Sequence, residues 1–306
     1  MKKIQIFVST YNGEAHLRAQ LDSFLALENA SDVSVLIRDD GSTDGTRAIL
    51  SEYEAHEGFR VLYGENVGLN ASMRILFENA DPKCLYYAYS DQDDVWLKDK
   101  LSRAACALDA CDESTPVLYS ARSYLTDVAG NVIGETRLSK RPPSFANAMV
   151  QNICIGHTQV YNRAMLTLLR THYHEDMFVM DHWAYLLAAA FGKVVLDESL
   201  VTLYRQHGKN AIGYGHNRLT VLRNRIRRTL AGVPRAHAKQ LIALQECCGD
   251  ALPDERKDEL SAFLSSRRCF FRRAAYLLRA RTHRQGFFEN LGFRVLYLFG
   301  SYNDKK

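Results

Sequence analysis

The sequence lacks the glycine-rich signatures of two common nucleotide-binding folds. It contains neither GxGxxG nor GxxxxGK[ST], which argues against dinucleotide-dependent oxidoreductases and P-loop NTPases. It has no stretch of about 18 or more apolar residues, so no transmembrane helix is predicted. The apolar run in the opening MKKIQIFVSTYNGE is too short for a signal peptide.

Cysteine spacing also excludes a common class of site. The seven cysteines form neither a CxxC pair nor a Cys/His zinc pattern, and an odd number cannot all pair within one chain. This usage is typical of reduced cysteines in a cytoplasmic protein. With 306 residues, the chain is long enough for one large domain or two smaller ones.

Charge is distributed unevenly along the chain. The net charge is +4, but residues 217–306 hold 19 Lys and Arg against 8 Asp and Glu, a balance of +11, which leaves −7 for residues 1–216. Such a change of sign suggests two regions with different roles. We therefore predict a catalytic domain over residues 1–216 and a basic helical region over residues 217–306.

Strand patterns alternate with helix patterns through the first hundred residues. Between the first two strands, Leu17, Leu21 and Phe24 recur at helical spacing. The buried strand patterns are IQIFVS (4–9), VSVLIRDD (33–40), FRVLYG (59–64) and KCLYYAYSD (83–91). This alternation predicts an α/β fold with a mostly parallel sheet flanked by helices.

Polar clusters follow three of these strands, namely STYN (9–12), RDDGSTDGT (38–46) and SDQDD (90–94). Ligands bind beyond the carboxyl ends of parallel strands, so the clusters should converge on one edge of the sheet. Crowded carboxylates are costly unless protons or cations neutralise them. Magnesium and manganese prefer carboxylate oxygens and substrate phosphates. Each cluster alone also fits a simple turn or helix cap. The carboxylates concerned are Asp39, Asp40, Asp91, Asp93 and Asp94.

Several segments together resemble the family 2 glycosyltransferases with the GT-A fold. They are FVSTYNGEAHLRAQLDSF, IRDDGSTDGT, ENVGLNASM, YSDQDDVWLKDKL, GHTQVYNR (156–163) and MDHWAYLLAAAFGKVVLDESLVTLYRQHGKN (180–210). The resemblance covers about two-thirds of the chain. The forms SDQDDVW and LYRQHGKN are most similar to the bacterial rhamnosyltransferase-type members.

The resemblance implies a nucleotide-sugar site and a metal site. Asp39 would contact the base or ribose, with Asp40 beside it. In the DXD-like motif DQD, Asp91 would contact the donor sugar or ribose, and Asp93 would ligate manganese or magnesium. The remaining nucleotide-sugar-binding residues implied are Thr10, Tyr11, Asn12, Glu14, Gln92 and Arg205, and His207 would be a second metal ligand, with a capping or structural role as the alternative.

The resemblance also implies a catalytic base. The family's Glu-Asp pair reads Met180–Asp181 here, so only the aspartate is retained. Inverting sugar transfer needs a base to deprotonate the acceptor hydroxyl, and a metal can stabilise the leaving diphosphate as a Lewis acid. Asp181 could alternatively serve only as a helix N-cap. Trp96 and Trp183 fit core packing better than a sugar site, while His157 lies in a strand that the resemblance places beneath the acceptor.

The basic region reads as helices. The predicted helices are NRLTVLRNRIRRTL, AKQLIALQECC and one long helix over residues 254–283, whose apolar stripe includes Leu260, Phe263, Phe271 and Leu278. Basic, aromatic helices fit an anionic membrane surface, packing on the catalytic domain, or nucleic acid. The membrane is favoured because the family often acts on polyprenyl-linked acceptors, and nucleic acid is the least favoured partner.

Taken together, these patterns predict a metal-dependent, inverting glycosyltransferase of bacterial surface polysaccharide synthesis. It would move a hexose or deoxyhexose, such as rhamnose, from a nucleoside-diphosphate sugar to a glycan or polyprenyl-linked acceptor. We expect a cytoplasmic protein at the inner face of the plasma membrane. A sugar nucleotidyltransferase is an alternative, but VSTYNGE lacks that class's basic, Gly-rich loop. A non-catalytic glycan-assembly subunit is another, and the intact DQD and Asp181 argue against it.

Overall fold

The computed structural model describes residues 3–206, 227 and 229–303. The chain divides into two compact units, as far as their ranges are described. One comprises Met1–Leu138, Cys154–Thr171 and Gly192–His207, and the other Ser139–Ile153, His172–Phe191 and Gly208–Lys306. The second unit thus includes two segments that the sequence places in the catalytic region. The predicted boundary at residues 216 and 217 lies outside the described residues and stays a prediction.

All the described strands belong to the first unit. They are β1 (Ile4–Thr10), β2 (Val33–Asp39), β3 (Phe59–Tyr63), β4 (Tyr86–Ser90), β5 (Val95–Trp96), β6 (Val117–Thr126), β7 (Val132–Glu135), β8 (Val160–Asn162) and β9 (Lys193–Arg205). The described helices of both units are α1 (Leu17–Leu25), α2 (Thr46–Tyr53), α3 (Leu69–Glu78), α4 (Lys100–Asp109), α5 (Phe145–Ala148), α6 (Arg163–Thr171), α7 (Met180–Phe191), α8 (Val233–Cys248), α9 (Asp254–Ser266), α10 (Phe270–Arg279) and α11 (Phe287–Leu298).

The sheet has the order β3-β2-β1-β4-β8-β6-β9-β5, with β7 paired to β6. Its first four strands are parallel, as predicted. Beyond β4 the sheet is mixed, because β8 runs antiparallel to both β4 and β6, whereas β6 and β9 are parallel. Large α/β sheets commonly combine parallel and antiparallel strands. The α/β fold with flanking helices is therefore confirmed.

Alternating side chains of β1 pack on opposite faces of the sheet. Ile6 and Val8 join a buried cluster with residues of α1, α2 and α4. Phe7 faces the other way, with its ring centroid 5.3 Å from Phe77 of α3 and 5.7 Å from Tyr87 of β4. Fully burying one such side chain contributes about 1.5–3 kcal/mol. Helices on both faces therefore anchor the strand whose end begins the polar edge.

Both tryptophans are core residues within their own units. Trp96 is buried, and its ring centroid lies 4.7 Å from Phe24 in an edge-to-face contact. Trp183 is fully buried, and its indole Nε1 donates to the carbonyl oxygen of His172 at 2.8 Å. These contacts support the core-packing interpretation for both.

The described C-terminal part is helical, but the single long helix predicted over residues 254–283 is wrong. The helix is interrupted between α9 and α10, where the backbone of Cys269 is extended with φ −148°. The side chain of Arg273 donates to the carbonyl oxygen of Arg267, and the side chain of Arg267 donates to the carbonyl oxygen of Tyr302. The Arg267 carbonyl oxygen thus accepts from a side chain rather than from a helical N–H. The predicted apolar stripe is split as a result: Phe263 is fully buried, whereas Phe271 is 82% exposed.

No described helix has the length and apolar character needed to cross a bilayer. The first predicted basic helix, NRLTVLRNRIRRTL, lies mostly outside the described residues.

Gly192, just before β9, provides a test of the junction between β6 and β9. A Cβ at this position would lie 1.9 Å from the carbonyl oxygen of Pro116, so the Gly192→Ala variant must displace backbone. We expect it to lower the free energy of unfolding by about 1–3 kcal/mol, measured by denaturant unfolding. The control is Gly134→Ala, whose added Cβ would meet Leu125 at an ordinary 3.7 Å. Equal stabilities of the two variants would contradict this packing.

Candidate active site

Gln92 joins the end of β1 to the end of β4. Its side-chain oxygen accepts hydrogen bonds from the Thr10 hydroxyl at 2.6 Å and from the Tyr11 backbone N–H at 3.0 Å. Its amide nitrogen donates back to the Tyr11 carbonyl oxygen at 3.2 Å. The central residue of DQD therefore fixes the distance between two of the predicted polar clusters.

Asn12 and Glu14 join the end of β1 to the loop after β2. The side-chain oxygen of Asn12 accepts from the Thr43 N–H at 2.9 Å, and its own N–H donates to the Ser42 hydroxyl at 2.9 Å. The carboxylate of Glu14 accepts from the Gly45 N–H at 2.9 Å. Asn12 has φ +48°, a conformation that asparagine adopts more readily than most residues. The three polar clusters therefore converge on one edge of the sheet, as predicted.

The carboxylates of Asp39 and Asp40 are buried and paired with arginines. Asp39 accepts from Nε of Arg47 at 2.7 Å. Asp40 forms an ion pair with the buried Arg38 and accepts from the N–H groups of Val67 and Gly68 at the start of α3. Arginine side chains thus balance the charges of this pair of carboxylates. Contact of Asp39 with a nucleotide, with Asp40 beside it, stays a prediction.

A second cluster of carboxylates lies beside His157. Nδ1 of His157 lies 3.5 Å from Oδ2 of Asp91 and 3.4 Å from Oδ2 of Asp94. One ligand atom from each of the three residues lies within 4.8 Å of the others. His157 and Asp94 are fully buried, whereas the Asp91 side chain is 35% exposed. The group thus extends from the interior to the surface, where a substrate could reach it.

Two atoms at the centre of this group lack the usual hydrogen bonds. Oδ2 of Asp94 and Nδ1 of His157 are buried and have no hydrogen-bond partner among the described residues. Unsatisfied buried polar atoms are rare because each costs free energy. Burial raises the pKa of Asp94, and the neighbouring His157 opposes this shift. A divalent cation between these atoms would satisfy both, so the residues fit a metal site.

The orientation of His157 is fixed from its other side. Its Nε2 lies 2.8 Å from the Ser123 hydroxyl, and its ring centroid is 4.4 Å from that of Tyr204. Metal-binding histidines are commonly held in this way, with the second ring nitrogen on a polar partner. The arrangement leaves Nδ1 directed toward the two carboxylates.

A buried lysine, Lys100, lies beside this group. It is the first residue of α4 and is fully buried, with Nζ 3.1 Å from the centroid of the Trp96 ring. Its Nζ donates to the carbonyl oxygen of His157. Burial lowers the pKa of Lys100 well below its usual range, while Asp94 and Asp91 oppose this shift. Lys100 therefore holds the His157 backbone in place.

Arg205 at the end of β9 braces the turn that carries the aspartates. Its N–H donates to Oδ1 of Asp94 at 3.1 Å, and its Nε donates to the carbonyl oxygen of Asp93 at 3.2 Å. Its Nη1 reaches the carbonyl oxygen of Val128 at 2.7 Å. The structure thus brings Arg205 to the site, where its described contacts are to protein. Its contact with a donor and the metal ligation by Asp93 stay predictions. His207 lies outside the described residues.

Asp181, the predicted base, belongs to the second unit. It is half-buried in the first turn of α7, and its Oδ1 accepts from the N–H of His182 at 2.7 Å. The following His182 is buried, with Nε2 2.7 Å from the carbonyl oxygen of Ala148. A rigid helix start therefore presents the aspartate, and its role as base stays a prediction.

Sequence reasoning missed part of this site. It placed His157 beneath the acceptor rather than beside the aspartates, and it did not single out Lys100. No local sequence signal marks Lys100, because Trp96, whose ring it contacts, belongs to β5 and Lys100 begins α4. For His157, 63 residues separate it from Asp94, and only the pairing of β8 with β4 brings them together.

Comparison with known families identifies the class of protein to which this fold and site belong. The model of the glycosyl transferase family 2 matches residues 5–168, more than half of the chain. The chain therefore belongs to glycosyl transferase family 2, and the family predicted from its motifs is confirmed.

Individual relatives give further detail. An uncharacterized protein of Mycobacterium tuberculosis is 28% identical over 69% of this chain, which spans about 60% of that relative's length. The dTDP-rhamnosyl transferase RfbG of Shigella flexneri is 26% identical over 71% of this chain and 80% of its own length.

Solved structures show the same fold. TarS 1-349 of S. aureus in complex with UDP-GlcNAc matches 97% of this chain and 81% of its own, with a TM-score of 0.60 and 16% identity. The mannosyltransferase PcManGT of Pyrobaculum calidifontis, in complex with GDP-Man and Mn²⁺, matches 98% of this chain and 85% of its own, with a TM-score of 0.56 and 17% identity.

Changing Asp94 tests whether the buried group binds a cation. Asp94→Asn keeps the shape of the side chain but removes its charge. We expect the affinity for Mn²⁺, measured by calorimetric titration, to fall by more than about tenfold, because even the loss of a side chain that only orients a metal ligand costs about that much. The control is Glu57→Gln, an exposed carboxylate just before β3 and thus at the opposite edge of the sheet. If Asp94→Asn leaves the affinity for Mn²⁺ unchanged and Asp93→Asn lowers it, the ion is assigned to Asp91 and Asp93 instead.

Proposed function

We propose that this protein is a metal-dependent, inverting glycosyltransferase. It transfers a hexose or deoxyhexose from a nucleoside-diphosphate sugar to the hydroxyl of a glycan or lipid-linked acceptor. The observation that carries the proposal is the convergence of three strand ends around Asp91, Asp94 and His157. Such an edge is where open α/β sheets bind nucleotides. Family membership supplies the reaction class.

Manganese is the cation we propose. Two carboxylates and an imidazole form a mixed oxygen and nitrogen donor set, which suits manganese better than magnesium, because magnesium prefers oxygen ligands alone. Asp91, Asp94 and His157 would hold the ion, and Asp93 and His207 are the ligands predicted from the motifs. When bound, the ion neutralises charge on the leaving diphosphate without a proton. The Mn²⁺ recorded with a structural neighbour is consistent with this choice.

The donor is a nucleotide sugar, and we favour a dTDP-linked deoxyhexose such as dTDP-rhamnose. The similarity to RfbG over 80% of that protein supports this choice. Tyr11 is 47% exposed at the end of β1 and offers an aromatic surface to a base. Thr10, Asn12, Glu14 and Gln92 act by fixing the loops around that surface. Arg205 keeps the aspartate turn in position.

Asp181 is the base in this proposal. Its carboxylate removes the proton from the acceptor hydroxyl as the oxygen attacks the anomeric carbon, and the bond to the nucleoside diphosphate breaks on the opposite side. A single displacement of this kind inverts the anomeric centre. The half-buried position of Asp181 at the rigid start of α7 suits a base that must be held in place.

We place the reaction in bacterial surface polysaccharide synthesis, at the cytoplasmic face of the plasma membrane. The acceptor would be a glycan carried on a polyprenyl lipid. A sugar nucleotidyltransferase and a non-catalytic assembly subunit remain the alternatives. Both predict no sugar transfer from a nucleoside-diphosphate donor, so one turnover assay separates them from the proposal.

A donor panel tests the function directly. The full chain is incubated with dTDP-rhamnose, UDP-GlcNAc or GDP-Man, with manganese or with a chelator, and release of nucleoside diphosphate is measured with and without lipid-linked acceptors. We expect release from dTDP-rhamnose that depends on manganese and is faster with acceptor. Pyrophosphate formation from a nucleoside triphosphate and a sugar phosphate would instead support the nucleotidyltransferase. Inactivity with every donor in the panel would contradict the proposal.

Asp181→Asn tests the base. Asparagine keeps the shape of the side chain but cannot accept a proton, so transfer should fall by about a hundred- to ten-thousandfold, while donor affinity stays unchanged. The control is Asp176→Asn in the preceding loop, whose exposed carboxylate forms a long ion pair of 3.6 Å with Lys239. Near-normal transfer by Asp181→Asn would assign the base to another residue.

A further inference from the structure

Helix α11 exposes an apolar stripe to solvent. The side chains that compose it are 46–75% exposed and, apart from the adjacent pair at residues 287 and 288, recur at intervals of three or four residues, which places them on one helix face. They are Phe287, Phe288, Leu291, Val295 and Phe299. The opposite face of the same helix is buried through Phe293 and Tyr297. The exposed stripe is therefore additional to the face that packs in the core of the second unit.

Helix α10 extends this stripe. Phe271 and Leu278 are 82% and 88% exposed, and the ring centroid of Phe270 lies 6.4 Å from that of Phe299. Arg273 of α10 donates to the carbonyl oxygen of Leu298, which joins the start of α10 to the end of α11. The two helices thus form a hairpin. We call its exposed apolar side chains, namely the five of α11 together with Phe270, Phe271 and Leu278 of α10, the apolar face.

The hairpin is strongly basic. Residues 268–303 contain seven arginines and a single acidic residue, Glu289. Some of these arginines serve the fold, as Arg294 does by donating to the carbonyl oxygen of Leu277. Arg268, Arg272 and Arg279, by contrast, are exposed and form no ion pair with the described residues. Arg272 and Arg279 are seven residues apart, so they lie along one side of α10.

We infer that the apolar face inserts into the surface of an anionic lipid bilayer, with Arg268, Arg272 and Arg279 on the lipid headgroups. Large exposed apolar patches on soluble domains mark interaction sites. Interfacial helices combine such a patch with cationic side chains. The inference specifies how the proposed enzyme contacts the membrane. It rests on the proposed function only where the acceptor is taken to be lipid-linked.

A second copy of the chain fits this surface less well. A two-fold dimer brings the same patch of both copies together, so the arginines of one copy would face those of the other. Like charges that are close together repel one another. Anionic headgroups offer the opposite charge, together with an apolar layer beneath for the phenylalanines.

Vesicle sedimentation of the full chain tests the apolar face. We expect binding to phosphatidylcholine vesicles that contain phosphatidylglycerol, little binding to phosphatidylcholine alone, and release as salt is raised. The double variant Phe271→Ser/Phe288→Ser should lose most of the binding. Both side chains are exposed, so the fold should survive, as unfolding midpoints would check. The control is Leu230→Ser, whose side chain is 79% exposed but lies outside the hairpin.

A second variant tests the charge. Changing Arg268, Arg272 and Arg279 to Gln should weaken binding to the anionic vesicles by about a hundredfold, because each cation near such a surface contributes about 1 kcal/mol. The control changes three exposed cations of the first unit to Gln, namely Arg60, Lys83 and Lys98. If both triple variants lose vesicle binding equally, net charge alone explains the loss, and the assignment of the three hairpin arginines to the lipid headgroups is overturned.

The remaining outcomes are also decisive. Absence of vesicle binding at low salt, or a dimer by light scattering that Phe271→Ser/Phe288→Ser dissociates, would overturn the inference in favour of a protein interface. Sugar transfer to a soluble acceptor serves as an independent readout. Vesicle binding without sugar transfer would refute the proposed function alone, and sugar transfer without vesicle binding would refute the membrane surface alone.

Discussion

The structure of the first unit depends on the burial of Asp94, whose carboxylate forms no ion pair with an arginine side chain among the described residues. A carboxylate with no solvent exposure must be compensated nearby, and three elements contribute. The turn before β8 places His157 beside Asp94, helix α4 holds the His157 carbonyl oxygen through Lys100, and β9 ends with the N–H of Arg205 on the carboxylate. The half of the sheet beyond β4 is thereby fixed around this one side chain, and its mixed strand directions bring all three elements to the same edge.

Two pairs of aspartates at this edge are neutralised differently, and we therefore assign them different roles. Asp39 and Asp40 each have an arginine, so their charges are balanced within the protein. Asp91 and Asp94 share an imidazole instead and leave a carboxylate oxygen and a ring nitrogen without hydrogen bonds among the described residues. The first pair therefore shapes the loops. The second retains the capacity to bind a cation.

Strand patterns and the rule for carboxyl ends were sufficient to predict the parallel half of the sheet and the convergence of its polar clusters. The group around Asp94 was not predictable, because His157 reaches it through the antiparallel pairing of β8, which local sequence does not encode. The long helix predicted over residues 254–283 failed for a related reason. Its periodicity continues through Arg267, but long-range hydrogen bonds to Tyr302 and from Arg273 end the helix there.

The central claim is that a cation binds between Asp91, Asp94 and His157, and pulsed electron paramagnetic resonance of bound Mn²⁺ tests it most directly. Nitrogen in the first coordination sphere gives a hyperfine modulation that carboxylate and water ligands do not. The account predicts this modulation in the wild-type protein and a weaker modulation in His157→Gln. Absence of the modulation in the wild type, or an undiminished modulation in His157→Gln, would contradict the account.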